Sequence, residues 1–150
     1  MNIRLLDPER DWREWLRLRQ ALWPEETDAP HLAEMAELAA NLDTQPVFVA
    51  ERPFGSLGGF VEAGLRSYAA GCDTTPVPYI EGWYVDPDLR QQGVGRRLID
   101  AVEEWARAQG YYEIASDAEL HNTLSHQAHA ALGFEEVERT VSFRKPLSNL

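Results

Sequence analysis

Two glycines one residue apart, Gly93 and Gly95, sit in the run Arg90-Gln91-Gln92-Gly93-Val94-Gly95-Arg96, between a β-rich segment and an amphipathic helical one. With no side chains at those two positions, backbone N–H groups from Gln91 to Arg96 can close on a phosphate, and the start of the following helix adds partial positive charge. Arg90 and Arg96 add full charges. Glycines also serve ordinary tight turns, so the pair gains weight only from its context. The other residues able to do chemistry are carboxylates and histidines: Glu81 on the β-rich segment, Asp117 at the end of a second one, then His129 and Glu138. A carboxylate can take the proton from an alkylammonium, whose pKa of ~10 keeps it charged at neutral pH, and can hold an ammonium by charge-assisted hydrogen bonds. Asp117 also fits a turn or helix cap, and Glu138 a solvated strand residue.

Those residues need elements to hold them. Asp7-Pro8 reads as an N-cap with proline at the first helical position, and Trp12, Trp15, Leu16, Leu22 and Trp23 recur near one helical face, predicting a first helix that ends near Pro24. Leu32, Met35, Ala36, Ala39 and Leu42 predict a second helix, from beyond Pro30 to about Thr44. Val47–Ala50 reads as a strand, Arg52–Ser56 as a turn and Leu57–Arg66 as the returning strand, with Gly58-Gly59 marking a bulge or a close backbone approach. Ser67–Pro78 has no periodicity and is a loop long enough to carry function. Tyr79–Val85 predicts a strand, Leu98, Ile99, Val102, Trp105 and Ala106 a helix to about Gln109, and Tyr111–Ser116 a further strand. Thr123–Leu132 predicts a last helix closed by Gly133, Phe134–Arg144 a last strand or pair, and Leu147–Leu150 a frayed tail. The helix between Tyr79–Val85 and Tyr111–Ser116 makes those strands parallel, and the element order predicts an α/β (α+β) sandwich.

Composition narrows the chemistry. A chain of 150 residues, 44% hydrophobic, predicts one domain over 1–150 with one core. Cys72 is the single cysteine and no Cys/His run has zinc spacing, so neither a disulfide nor a metal is expected, and a reducing cytoplasm fits best. The charged N-terminus lacks the apolar run of a signal peptide, and no long uncharged apolar stretch follows. Twenty-five acidic residues against 14 basic ones give a net charge of -11, which repels nucleic acid and anionic lipid and attracts cations.

The segment Tyr79-Ile-Glu-Gly-Trp-Tyr-Val-Asp-Pro-Asp-Leu-Arg-Gln-Gln-Gly-Val-Gly resembles motif A of the GNAT N-acetyltransferase superfamily, whose R/Q-x-x-G-x-G/A loop holds the pyrophosphate of coenzyme A. The stretch His121-Asn122-Thr-Leu-Ser-His-Gln-Ala-His129-Ala-Ala-Leu-Gly133-Phe134-Glu135 is similar to motif B of the same superfamily. The resemblance implies the GNAT fold, a central mixed, mostly antiparallel sheet flanked by helices. It also implies acetyl-CoA as co-substrate, with no metal, held by Tyr84, Val85, Arg90, Gln91, Gln92, Gly93, Val94, Gly95, Arg96, Asn122 and His129. A backbone N–H of Tyr84 or Val85 would stabilise the oxyanion of acyl transfer. Many members place a tyrosine where this chain has His129, which either donates a proton to the leaving thiolate or packs against the cofactor. His121 and His126 read as surface residues.

Leu22-Trp23-Pro24, Tyr68-Ala-Ala-Gly71-Cys72-Asp73, Ile80-Glu81-Gly82, Ala115-Ser116-Asp117 and Leu132-Gly-Phe-Glu-Glu-Val-Glu138-Arg139 together resemble the aminoglycoside 6′-N-acetyltransferases over nearly the whole chain. That closer likeness implies direct attack by an aminoglycoside amine in a ternary complex, antibiotic resistance, and a homodimer. It carries catalytic roles to Glu81, Asp117 and His129, and acceptor contacts to Trp23, Tyr68, Glu81, Asp117 and Glu138, with Tyr68 able to serve a partner subunit's pocket. Trp23 lies on an amphipathic helix, where a tryptophan is core more often than site. A polyamine, another small amine or a protein N-terminus is the alternative acceptor, and a catalytically silent acyl-CoA-binding module the alternative of another class. Cys72 has no base near it in sequence, which disfavours an acetyl-cysteine route.

Overall fold

The computed structural model describes residues 1–148, and the chain divides into two compact units, Met1–Asp117 and the residues from Ala118 onward. The first contains β1 (Asn2–Leu5), α1 (Pro8–Leu22), α2 (Asp28–Ala39), β2 (Val47–Glu51), β3 (Leu57–Arg66), β4 (Val77–Val85), a 3₁₀ turn (Pro87–Leu89), α3 (Val94–Ala108) and β5 (Ala115–Ser116). The sheet runs in the order β1-β2-β3-β4-β5, antiparallel except where β4 and β5 pair in parallel, Tyr79 with Ala115 and Ile80 with Ser116.

Local chemistry sets most boundaries. The Asp7 side chain accepts from the N–H groups of Glu9 and Arg10 ahead of Pro8, so α1 starts as its cap predicts. The second helix starts earlier than expected, at Asp28, because Pro30 lies in the first turn, where its missing N–H breaks no bond. It stops at Ala39 rather than near Thr44, where Asn41 Nδ2 donates to Glu37 O and closes the last turn. β1 lies outside the sequence expectation: it is a short edge strand in which Arg4 pairs with Asp11 and Glu51.

β3 is the centre of the unit, buried from Leu57 to Gly64. Alternate residues of a strand face opposite sides. Phe60 and Glu62 face α1, where Trp15, Leu18, Met35, Val49 and Phe60 form a core and Trp15 Nε1 donates to Glu62 Oε2 at 2.9 Å. Gly59 faces the other way, against Leu98 of α3. The expected bulge is present: Ala50 pairs with Gly59 and Glu51 with Leu57, leaving Gly58 as the extra residue.

Two strand assignments are corrected. Tyr111–Ser116 forms a strand only at Ala115–Ser116, because the Tyr111 N–H is used to close α3 on Ala106 O and the Glu113 carboxylate is turned to the 67–76 loop. The strand or pair expected over Phe134–Arg144 is absent: 134–148 holds no regular secondary structure, since a strand needs a ladder partner and none pairs with it among the described residues. The second unit therefore contains one helix, α4 (Thr123–Ala131), with Val137, Val141 and Phe143 exposed beyond it. Of the tail expected to fray, Asn149 and Leu150 lie outside the described residues.

Candidate active site

β4 leads through the 3₁₀ turn into the glycine run, and Asp86 fixes the junction. Its N–H donates to Gly58 O at 2.8 Å, and its buried carboxylate accepts from Arg17 at 3.1 and 3.2 Å and from Arg52 at 3.1 Å. A Cβ on Gly58 would stand 2.2 Å from Leu89 Cδ1, so a side chain there would force Leu89 to shift. Gln91 (φ +62°) and Gly93 (φ +83°) are both left-handed, an alternation that turns successive backbone N–H groups toward one concavity. Gly93 precedes α3 without any side-chain cap, so the first N–H groups of a 15-residue helix point out of its positive end. The loop thus fits a pyrophosphate. Gly95 serves packing as well: a Cβ there would be 3.1 Å from Trp83 Cζ2, and Trp83 Nε1 donates to Gly95 O at 3.2 Å. Arg90 is turned back on β4, its Nε donating to Val85 O at 2.9 Å and its guanidinium 5.5 Å from the Tyr84 ring centre, while Gln92 Nε2 donates to Asp88 O.

The two carboxylates expected on the acceptor side, Glu81 and Asp117, gather where β4 and β5 part. Glu62 pairs with Gly82 and Ala63 with Ile80, so Glu81 is the extra residue of a bulge, which turns its side chain out of the sheet. There Arg66 Nη2 donates to Glu81 Oε1 at 2.5 Å, and the Arg66 guanidinium lies 3.6 Å over the Tyr79 ring. Tyr79 in turn donates its hydroxyl to Asp117 Oδ2 at 2.6 Å. Burial, then that hydrogen bond, hold the Tyr79 phenol well above its ordinary pKa, so it remains a donor at any working pH. Asp117 therefore faces the Glu81 group, and both candidate carboxylates join one cluster. Beyond Ile80 and Ser116, β4 and β5 pair no further.

Trp23 is both core and lining. It closes the C-terminus of α1, takes the Arg19 guanidinium 4.8 Å from its ring centre and packs against His31 and Phe60. It fills the space left by Gly82, whose Cβ would stand 2.6 Å from Trp23 Cη2. Trp23 also lines, with Glu25, Glu26 and Glu34, a cavity of 420 Å³. Sequence reasoning assigned these three carboxylates no role. Beneath them Arg19 and Glu62, both buried, meet at 2.5 and 2.6 Å, and burial pushes the Glu62 carboxyl up while Arg19 and Trp15 pull it back. The signal for that pair was a glutamate inside the apolar run Leu57–Leu65.

Tyr68 is 72% exposed and belongs to no cluster within the first unit. Glu113, which sequence reasoning passed over, anchors the loop after it by accepting from the N–H groups of Asp73 and Thr74 and from the Thr74 hydroxyl. Burial, with the charge of Glu113 adding to it, pushes the Cys72 thiol up, away from a reactive thiolate.

In the second unit Asn122 caps α4, its side chain accepting from Ser125 N. Gly133, at φ +89°, ends the helix with the Phe134 N–H on His129 O and the His129 and Phe134 rings 5.1 Å apart. His129 Nδ1 lies 2.7 Å from Ser125 O, which makes Nδ1 the donor in that hydrogen bond. His121 is exposed, and His126 lies at the surface with Nε2 3.0 Å from Glu119 O. Glu138 is exposed and accepts from the Thr140 hydroxyl. Among the described residues no group of three or more His, Cys, Asp or Glu is placed to hold a metal, and no helix is long and apolar enough to cross a membrane.

Residues 12–134 match the acetyltransferase (GNAT) family. The chain is 45% identical over 139 residues to an aminoglycoside N(6′)-acetyltransferase type 1 of Klebsiella aerogenes, covering 91% of each. It is 41% identical over 146 residues to the Salmonella enteritidis protein of the same name, covering 97% of this chain and 99% of that one. Among solved structures it superposes on AAC(6′)-Iy in complex with the bisubstrate analog CoA-S-monomethyl-acetylneamine, with a TM-score of 0.89, 40% identity and coverage of 97% and 98%. The aminoglycoside 6′-N-acetyltransferase AAC(6′)-IG of Acinetobacter haemolyticus gives a TM-score of 0.89 at 38% identity, covering 99% of this chain and all of that one.

Proposed function

This chain belongs to the GNAT acetyltransferase family, and we infer that it is an aminoglycoside 6′-N-acetyltransferase, moving acetyl from acetyl-CoA to a primary amine of the antibiotic. One observation carries the chemistry: a single strand, β4, bears an outward carboxylate at its bulge and runs on into an uncapped, glycine-lined helix N-terminus. The family match at 12–134 runs through the Asp117/Ala118 boundary, which supports taking 1–150 as one acetyltransferase domain.

Acetyl-CoA supplies the activated acetyl thioester. Backbone N–H groups of Gln91, Gln92, Gly93, Val94, Gly95 and Arg96, with the Arg90 and Arg96 charges, would hold its pyrophosphate. The backbone N–H of Tyr84 or of Val85, on the stretch of β4 with no strand on its β5 side, would hold the acetyl oxygen, such a donor contributing roughly 2.7–4 kcal/mol to the transition state. Glu81 takes the proton that makes the amine nucleophilic, and Asp117, oriented by Tyr79, binds an ammonium. Trp23 and Glu138 complete the acceptor contacts, and the carboxylates beside Trp23 extend the attraction for a polycation. Asn122 shapes the start of α4, and His129 either passes a proton to the departing thiolate or packs on the cofactor. The raised Cys72 thiol supports direct transfer without an acetyl-enzyme.

The chain acts as a homodimer in this scheme, with Tyr68 offered to a partner's pocket. Exposed Tyr68, Val137, Val141 and Phe143, in segments without ladder partners, support an intermolecular strand contact. Action in the cytoplasm agrees with a free Cys72. The decisive experiment is coenzyme A release with kanamycin as acceptor, run beside spermidine and a peptide amine: turnover with kanamycin is expected, and turnover only with another acceptor would replace the aminoglycoside.

A further inference from the structure

We propose that Arg66 is an internal stand-in for the acceptor's ammonium group: its guanidinium holds Glu81, and an arriving polycation must displace it to bind. The proposal rests on the acceptor site assigned above. Arg66 makes its three hydrogen bonds to Glu81, at 2.5, 3.2 and 3.3 Å, and stacks 3.6 Å over Tyr79. A carboxylate, an aromatic face and a second carboxylate one hydrogen bond away at Asp117 are what a bound alkylammonium would need, and Arg66 already occupies the first two.

Three other arginines of this unit are anchored on buried groups. Arg17 also donates to Leu57 O and to buried Asp86, Arg19 is itself buried on Glu62, and Arg4 holds buried Asp11. Each of those joins elements of the fold. Arg66 instead ends β3, opposite Val77, with its side chain 45% exposed and its carboxylate partner 39% exposed. An exposed ion pair and an exposed cation–π contact are weak in water, so the arginine is held firmly enough to occupy the site and loosely enough to leave it. Arg66 thereby sets how strongly the site takes cations: it cancels one negative charge until a ligand of higher charge replaces it.

Calorimetric titration of kanamycin at low salt into wild type, Arg66→Gln, Arg66→Met and Arg66→Lys tests this, with a thermal melt of each protein. Loss of the stand-in is expected to tighten kanamycin binding roughly 3- to 10-fold in Arg66→Gln and Arg66→Met, the range that two weak surface contacts allow. Arg66→Met keeps the aliphatic stem over Tyr79 and decides the matter if Arg66→Gln melts early. Arg66→Lys, which restores the charge, is expected to bind within about twofold of wild type on the same contacts. Unchanged or weaker binding in folded Arg66→Gln and Arg66→Met, or tightening in Arg66→Lys as well, would overturn the proposal while leaving the acceptor site intact. A wild type that shows no kanamycin binding would instead remove the acceptor assignment, and the role of Arg66 with it.

Discussion

Gly93 separates conformation from charge. At φ +83° any other residue is strained, yet a Cβ there has nothing within 4 Å. Gly93→Ala is therefore expected to cost about 1–2 kcal/mol of stability and to weaken acetyl-CoA binding modestly, whereas Gly93→Asp should abolish binding by putting a negative charge at the helix N-terminus. Calorimetry with acetyl-CoA distinguishes the two, and unchanged affinity in Gly93→Asp would move the pyrophosphate elsewhere. On the acceptor side, Asp117→Asn keeps an acceptor for the Tyr79 hydroxyl but loses the charge. It is expected to weaken aminoglycoside capture roughly 10- to 150-fold with acetyl-CoA affinity unaltered. Glu81→Gln should lower kcat too, because an amide cannot take the proton. Steady-state kinetics with kanamycin check both variants, and wild-type values would dissolve the amine site. The positions of Asp117 and the glycine loop were legible in the sequence because each sits at a strand end or turn that periodicity marks, and that of Glu81 because it lies within a predicted strand. Arg66 and Tyr79 were not, since only the bulge at Glu81 brings three separated segments together.

At the scale of elements, α1 and β3 are tied by a buried charge pair that stability alone does not require. Arg19→Met leaves Glu62 buried without its cation, which costs roughly 3–5 kcal/mol. The sign with pH follows from Glu62, whose burial raises its folded pKa above the ordinary 4.5 and, without Arg19, raises it further. A raised carboxyl loses stability as pH climbs from its unfolded to its folded pKa. The melting-temperature gap between wild type and Arg19→Met should therefore be widest near neutral pH and shrink as pH falls toward 4.5. A gap that grows on acidification would mean that Glu62 is not the group responsible. α1, β2, β3 and α3 were readable because caps and apolar periodicity act locally. β1, the shortened β5 and 134–148 were not, because a strand exists only where another backbone completes its hydrogen bonds, and that partner lies far off in sequence.

The whole chain carries a net charge of -11, and its attraction for a polycation acts through solvent. Raising ionic strength from low to near 0.5 M is expected to increase the acceptor KM several-fold, because screening shortens the field to a few ångströms. A salt-independent KM would confine recognition to direct contacts. Sedimentation of the wild type at micromolar concentration is expected to give a dimer, and a clean monomer would remove any role for Tyr68 in a neighbouring site. Composition spoke to the ligand's charge but not to its identity, since any amine of high positive charge meets the same field.

Trp23 and Gly82 occupy a single volume. The indole stands where a β-carbon on residue 82 would be, so neither position can change its size alone. Descendants of this chain that gain a side chain at 82 must trim the ring at 23, and those that trim the ring first open a hole against Phe60 and the Arg19 guanidinium. This contact therefore varies two residues at a time, and an intermediate with only one change is penalised whichever comes first. That makes the shape of this contact slow to drift, while the exposed carboxylates around it can be exchanged one by one.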